Sequence, residues 1–432
     1  MEMGELPVVD PKRPNRLDRG RGLFRLWTWP RILVWLLLFK TIYFIVICTA
    51  VSMWREFDVE AFDDVNSRWF PMRGKEVIEQ GGPRLAVHLA TWDAEHYLVL
   101  SQMGYLKNAP SCAFYPLWPL TIRWFSIFTN GSHLVAGIVL ANAYSVAAWV
   151  LFYQIVALRF NESVAFRSLL LLIAFPGSLF YQFGYSESLF LLLVMILFFG
   201  LERDRYGLAW VAAFLLPLAR AVGIFSLLPL SWNWALRRDW PWLQRWKCFD
   251  AERERLRLDP VVRSYNTSYK EHTVLAAPLF GLFLYFVLMR AWTGNPFEGF
   301  HAQSYWGVHS ISNLWNVPKF AIELVMPTTV HDFRGSVLDR CLFLVLIYLL
   351  PVVWRLGKDL VLWALMLGIL PAMSGMFVSF TRFESTVFPL FIALAVFLAR
   401  RKTQLPFICV LLVSSLLHSI LLWRFVNFRW AG

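Results

Sequence analysis

Residues 31–52 read Arg31-Ile32-Leu33-Val34-Trp35-Leu36-Leu37-Leu38-Phe39-Lys40-Thr41-Ile42-Tyr43-Phe44-Ile45-Val46-Ile47-Cys48-Thr49-Ala50-Val51-Ser52. About 20 consecutive apolar residues cross roughly 30 Å of hydrocarbon, and this run, from about residue 30 to 52, is long enough. It follows a basic tail holding Lys12, Arg13, Arg16, Arg19, Arg21, Arg25 and Arg31. The run is too long for a signal-peptide core and has no obvious small-residue cleavage site, so it reads as a retained first helix.

Working outward, similar stretches recur at roughly 133–158, 164–183, 186–201, 207–220, 222–236, 272–293, 337–355, 359–378, 385–399 and 404–424. About eleven helices fit. The composition agrees: 58% hydrophobic against 16% charged residues, with mean hydropathy +0.52, describes an all-α polytopic membrane protein and not one soluble core. The reading divides the chain into a basic cytoplasmic tail, 1–29, and a single transmembrane domain, 30–432.

The formal charge of +12 does not point to nucleic acid, because no soluble basic module or nucleic-acid-binding motif is present. Lys and Arg concentrate instead in short segments between apolar runs, as cytoplasmic loops do. With the tail inside, residues 53–132 form a large first extracytoplasmic loop. Arg159 and Arg167, Arg203 and Arg205, the 237–271 loop, Arg355 and Lys358, and Arg400 with Arg401 and Lys402 then all fall in the cytoplasm. Residues 294–336 form a second outer loop. Within the first, residues 92–128 read as helices lying in the membrane interface. The cysteines Cys48, Cys112, Cys248, Cys341 and Cys409 have no CxxC or His spacing, so they read as packing residues.

Against this apolar background a few polar residues require a chemical account. In Trp92-Asp93-Ala94-Glu95-His96-Tyr97, helical spacing puts His96 and Tyr97 on the face of Asp93 and turns Glu95 away. A carboxylate at the rim of an apolar cavity suits a general base, although an acidic first turn alone explains the same residue. Glu187, in Tyr185-Ser186-Glu187-Ser188, could equally be a helix N-terminal acid favoured by the dipole. Arg220 has no neighbouring charge in sequence, and Arg382 has Glu384 two positions on. Intramembrane cations are costly and usually functional or paired, so both are candidate phosphate ligands; an Arg382–Glu384 ion pair is the structural alternative. After the turn Gly294-Asn295-Pro296, Gln303 and Trp306 could hydrogen-bond and stack on a sugar, while a membrane-interface belt also accounts for Trp306. HExxH, Walker, GxGxxG and GxSxG patterns are all missing. Asp93-x-Glu95 is the nearest approach to a metal-binding acidic pair, and a helix splits it. No metal site or cofactor is expected, with divalent-metal dependence left open.

The ordered set Trp92-Asp93-Ala94, Gly104-Tyr105, Ala113-Phe114-Tyr115-Pro116-Leu117-Trp118-Pro119, Tyr185-Ser186-Glu187-Ser188, Arg220 with Gly223, Gly294-Asn295-Pro296-Phe297, Ala302-Gln303, Trp306-Gly307, and Arg382 with Phe388-Pro389-Leu390-Phe391 resembles the PIG-V-like mannosyltransferases, in a bacterial-type member. Asn295 and Val308 depart from the Asp and Arg common at those places. The resemblance implies a GT-C-type fold and an inverting transferase. Such an enzyme moves mannose or a related hexose from a polyprenyl-phosphate donor to a glycolipid or glycoprotein acceptor at the non-cytoplasmic face. For such a reaction the residue reading expects Asp93 as base, Arg382 and Arg220 on the donor phosphate, and Trp92, His96, Tyr97, Tyr185, Glu187, Gln303 and Trp306 as substrate contacts. Membrane lipids are the other partners. Compact loops favour a bacterial inner membrane over the endoplasmic reticulum. A transporter or flippase of lipid-linked or anionic substrates is the alternative; it predicts pseudo-symmetric halves, where here the candidates cluster at one face.

Overall fold

The computed structural model describes residues 29–54, 56–69, 84–236, 265–306, 316–326, 329, 331, 336–375, 377–401 and 403–432. The basic tail, most of the 237–271 loop, much of 294–336, Gly307, Val308 and Lys402 lie outside the described residues. Among those described there is no β-strand, only an isolated bridge between Thr329 and Ser336.

Among the described residues, each apolar stretch expected to be a span is largely helical. Five helices among the described residues are long and apolar enough to cross a membrane: Trp29–Met53, His133–Arg159, His272–Thr293, Val337–Leu356 and Leu405–Val426. Tyr206–Ala219, Ala221–Leu236 and Phe388–Ala399 are shorter apolar helices. The long helices are apolar on their outer as well as their inner faces: Leu37, Ile42, Phe283, Leu412 and Leu416 are all at least half exposed. In water such faces would be a liability; in hydrocarbon they are the solvated surface, and a helix suits that setting because most of its backbone hydrogen bonds are made within the segment. The chain is an integral membrane protein.

Because lipid tails are as apolar as leucine, helix association here relies on close packing. Tyr206–Ala219 packs against both Glu187–Glu202 and Tyr265–Thr293. At the second crossing a Cβ on Gly281 would lie 2.0 Å from the carbonyl oxygen of Phe214, so only glycine permits that approach. Far from the site, buried Arg159 ties three helices together by donating to Glu202 and, at 2.6 Å, to Asp359.

The residues between the first two long helices build one end of the bundle. Asp93–Met103 buries most of its side chains against Leu117–Phe125 and His133–Arg159. The chain then exposes Trp124, Ile127 and Phe128, a surface suited to the lipid boundary. At the same end Pro176–Tyr181 forms a 3-10 helix and Phe380–Glu384 a single short α-helix, the two in contact. A Cβ at Gly177 would stand 2.0 Å from the Thr381 carbonyl oxygen. Absence of that atom lets the Arg382 turn seat against the 3-10 helix.

Candidate active site

Two carboxylates sit at helix starts. Asp93 is the first residue of Asp93–Met103, and Glu187 the first of Glu187–Glu202; the N-terminal dipole favours both. The two cations sit where helices are interrupted. Tyr206–Ala219 stops with Pro217 in its last turn, Arg220 takes an extended backbone, and a 3-10 helix follows. Arg382 lies just after Ser379, whose φ of 57° is left-handed. Trp92, immediately before Asp93, also has positive φ, 55°. Non-glycine residues held this way cost about 1–3 kcal/mol each and cluster at functional sites.

These breaks converge. Arg382 donates through Nη1 to Asp93 Oδ2 and through Nε to Glu187 Oε1. Arg220 Nη1 donates to the same Glu187 oxygen at 2.6 Å. The result is a chain of alternating charge, Asp93–Arg382–Glu187–Arg220. Side-chain exposure is 0% at Glu187, 7% at Arg382, 14% at Arg220 and 21% at Asp93, so the interior links are sealed and the ends open. Aromatic faces complete the surroundings of Arg382: Tyr185 at 4.8 Å and Phe180 at 5.5 Å. Asp93, Arg382, Tyr185 and Trp92 line a cleft together with Phe180, Phe425, Trp430, Ala431 and Gly432, a space of about 210 Å³ counted out to open solvent.

Two sequence expectations change. Arg220, without a charged neighbour in sequence, is paired with Glu187. Arg382 pairs with Asp93 and Glu187 and not with Glu384, whose buried carboxylate oxygens have no hydrogen-bond partner among the described residues.

Residues 31–238 match the model of the family described as Mannosyltransferase (PIG-V). GPI alpha-1,6-mannosyltransferase 2 of Rattus norvegicus is 32% identical over 144 residues, covering 31% of this chain and 28% of the relative. The Mus musculus protein of that name is 31% identical over 153 residues, 33% and 30% of the two chains. Over those residues this chain is similar to the PIG-V family. The matches span less than a third of the length of these relatives. The apo oligosaccharyltransferase of Archaeoglobus fulgidus superposes with TM-score 0.45 at 12% identity, over 95% of this chain and 57% of that one.

The PIG-V-like stretch contains Asp93, Tyr185, Glu187 and Arg220 and ends well before Arg382. Thus the fourth member of the charge chain is supplied from outside the matched residues. Burial works against the charged form of Arg382, but the carboxylates of Glu187 and Asp93 outweigh it and hold its pKa well above the ordinary value. It is a permanent cation.

The other expected substrate contacts stand at different distances from the cleft. Tyr185 presents its ring to Arg382 and anchors its hydroxyl by donating to the Thr91 carbonyl at 3.0 Å. Tyr97 is one step behind, its hydroxyl 2.8 Å from Ser186 Oγ. Burial and the charge of Glu187 push its pKa up to about 12 against the arginines and Ser186, so it remains a neutral phenol. His96 faces away from Asp93's ion pair: its Nδ1 meets Ser111 Oγ at 2.8 Å and its ring stacks on Phe114. Burial pushes His96 down to about 4, with Asp93 resisting, so it is neutral near pH 7. Trp306 stands edge-on to His96, and Gln303 Nε2 donates to the Ala113 carbonyl. His96, Gln303 and Trp306 therefore form a shelf beside the cleft, outside its lining.

Several lining residues carried no sequence signal. Phe180 looks like any apolar residue, and Trp430 follows the last apolar run. Trp430 stands edge-on to Trp92, while Phe428 stacks flat on Trp92 at 4.6 Å. Among the described residues no group of three or more His, Cys, Asp or Glu side chains is arranged to hold a metal ion.

Proposed function

We propose that this chain is a GT-C-type membrane mannosyltransferase. In this reading it transfers mannose, or a related hexose, with inversion from a polyprenyl-phosphate donor to a lipid- or protein-linked acceptor at the non-cytoplasmic face. The observation that carries the proposal is the charge chain that ends at partly exposed Asp93 in the cleft, within a PIG-V-like region.

The chemistry needs a base for the acceptor hydroxyl and compensation for the departing phosphate. Asp93 takes the hydroxyl proton as the acceptor oxygen bonds to the anomeric carbon. The bond from that carbon to the phosphate oxygen breaks, and its electron pair leaves with the lipid phosphate. Arg382, which lines the cleft beside Asp93, exchanges part of its hold on Asp93 for the developing phosphate charge. Glu187 keeps Arg382 and Arg220 from repelling one another, so the cations are fixed before substrate arrives. Tyr185 supports the guanidinium from below. Trp92 and Trp430 provide the aromatic walls for the sugar, and the shelf of His96, Gln303 and Trp306 receives its acceptor side.

The test is transfer from radiolabelled polyprenyl-phosphate mannose by purified wild type and Asp93→Asn, with product analysis and parallel assays with chelator. Removal of a general base lowers turnover by about 10²–10⁴-fold. A folded Asp93→Asn protein that turns over at the wild-type rate would sink the assignment.

A further inference from the structure

Lys40 carries a buried amine that the proposed chemistry leaves unused. It lies within the first spanning helix and is 6% exposed. Among the described residues no carboxylate is paired with it. A polar amine buried in this way is costly unless it is hydrogen-bonded. Its Nζ donates to the Tyr181 carbonyl at 3.0 Å and to Gln182 Oε1 at 3.1 Å, and lies 4.5 Å above the Trp149 ring.

The acceptors share one position in the fold. Tyr181 ends the 3-10 helix Pro176–Tyr181, where terminal carbonyls are unpaired and carry partial negative charge. Ser145 Oγ also donates to the Tyr181 carbonyl, at 3.3 Å, and Asn142 Nδ2 donates to the Gln182 carbonyl at 3.0 Å. The helix terminus is thus clamped from its back. From its front come Phe180, Tyr185 and Glu187, each touching Arg382. Between them Trp118 Nε1 donates to the Gly184 carbonyl at 2.8 Å and fixes the crossing.

We infer that Lys40 is a positioning residue for the proposed transfer, holding the 180–187 segment from behind so that Glu187 meets both arginines. This rests on the functional reading above. A snorkelling lysine would send its amine to the surface, whereas this one points inward to two oxygens. A purely stabilising lysine and a positioning one differ in what their removal does.

Lys40→Met keeps the length of the side chain and makes the span more apolar, so membrane insertion is retained. The expected result is a kcat lowered roughly 10–100-fold, with the donor KM changed by less than about threefold. Lys40→Met with Gln182→Leu replaces the amine and its side-chain acceptor by apolar groups, while the Tyr181 carbonyl keeps the Ser145 hydroxyl, a change nearly neutral for folding; the melting temperature returns and kcat does not. A double-mutant cycle of Lys40→Met with Glu187→Gln, read by melting temperature, requires no substrate and gives losses that do not add. Wild-type kcat in Lys40→Met, recovery of kcat along with stability in the paired variant, or additive melting losses each overturn the inference. Should the wild type transfer no mannose, the functional reading fails while the cycle still decides the role of Lys40.

Discussion

Replacing Glu187 by Gln removes one negative charge from a site in which two arginines share it. The remaining groups are Arg220, Arg382 and Asp93, so one buried guanidinium charge loses its compensation. Breaking a buried pair by removing one partner costs about 3–5 kcal/mol. Glu187 has no exposed side-chain surface, yet Arg220 is 14% exposed and can turn partly to water, which places the cost near the lower end, about 3 kcal/mol. In a chain of this size that lowers the melting temperature by roughly 3 °C. Arg220→Gln costs less, because Glu187 still holds Arg382. The double variant Glu187→Gln/Arg220→Gln leaves the neutral pair Asp93–Arg382, and it should melt above Glu187→Gln alone. Thermal unfolding of the three purified proteins in one detergent measures this. A Glu187→Gln protein melting within about 1 °C of wild type, or a double variant melting below it, would refute charge compensation as what holds the site together.

Three further outcomes follow from the geometry. Gly177→Ala forces a Cβ against the Thr381 carbonyl, and should cost about 1–3 kcal/mol in denaturant unfolding with a parallel loss of transfer activity. For His96, held near 4 by burial, the unfolded chain binds a proton that the folded one refuses; stability is therefore full above about pH 6.5 and falls as pH drops towards about 4. His96→Gln should flatten unfolding free energy against pH across that window. Tyr185→Phe keeps the ring under Arg382 and loses only the hydroxyl bond to Thr91, a change of about 1 kcal/mol, whereas Tyr185→Leu also removes the cation–π contact; turnover in a transfer assay should fall further for Leu than for Phe.

The spans were legible because an apolar run of helical length has few alternatives in water or lipid. Asp93 and Glu187 were legible as isolated acids opening apolar helices, and Arg220 and Arg382 as cations interrupting them. Their pairing was not legible. Arg382 and Glu187 are separated by 195 positions, and local spacing instead favoured Glu384 as a partner. Helical periodicity correctly put Asp93, His96 and Tyr97 near one another, but could not show that Ser111 and Ser186 draw the last two away from the ion pair. Lys40 was hidden for the opposite reason: one cation in a long apolar run says nothing of which distant carbonyl receives it.

The break at Arg220 bears on the bilayer itself. Tyr206–Ala219 has 14 residues, about 21 Å at 1.5 Å per residue, against roughly 30 Å of hydrocarbon. A helix this short leaves a hydrophobic mismatch that lipid relieves by thinning or by admitting water at its end. Under that relief Arg220, and the charges joined to it, would sit below the level of the surrounding headgroups. In the proposed reaction, a phosphate carried on a polyprenyl chain would reach that depth by lateral diffusion, its tail never leaving the hydrocarbon.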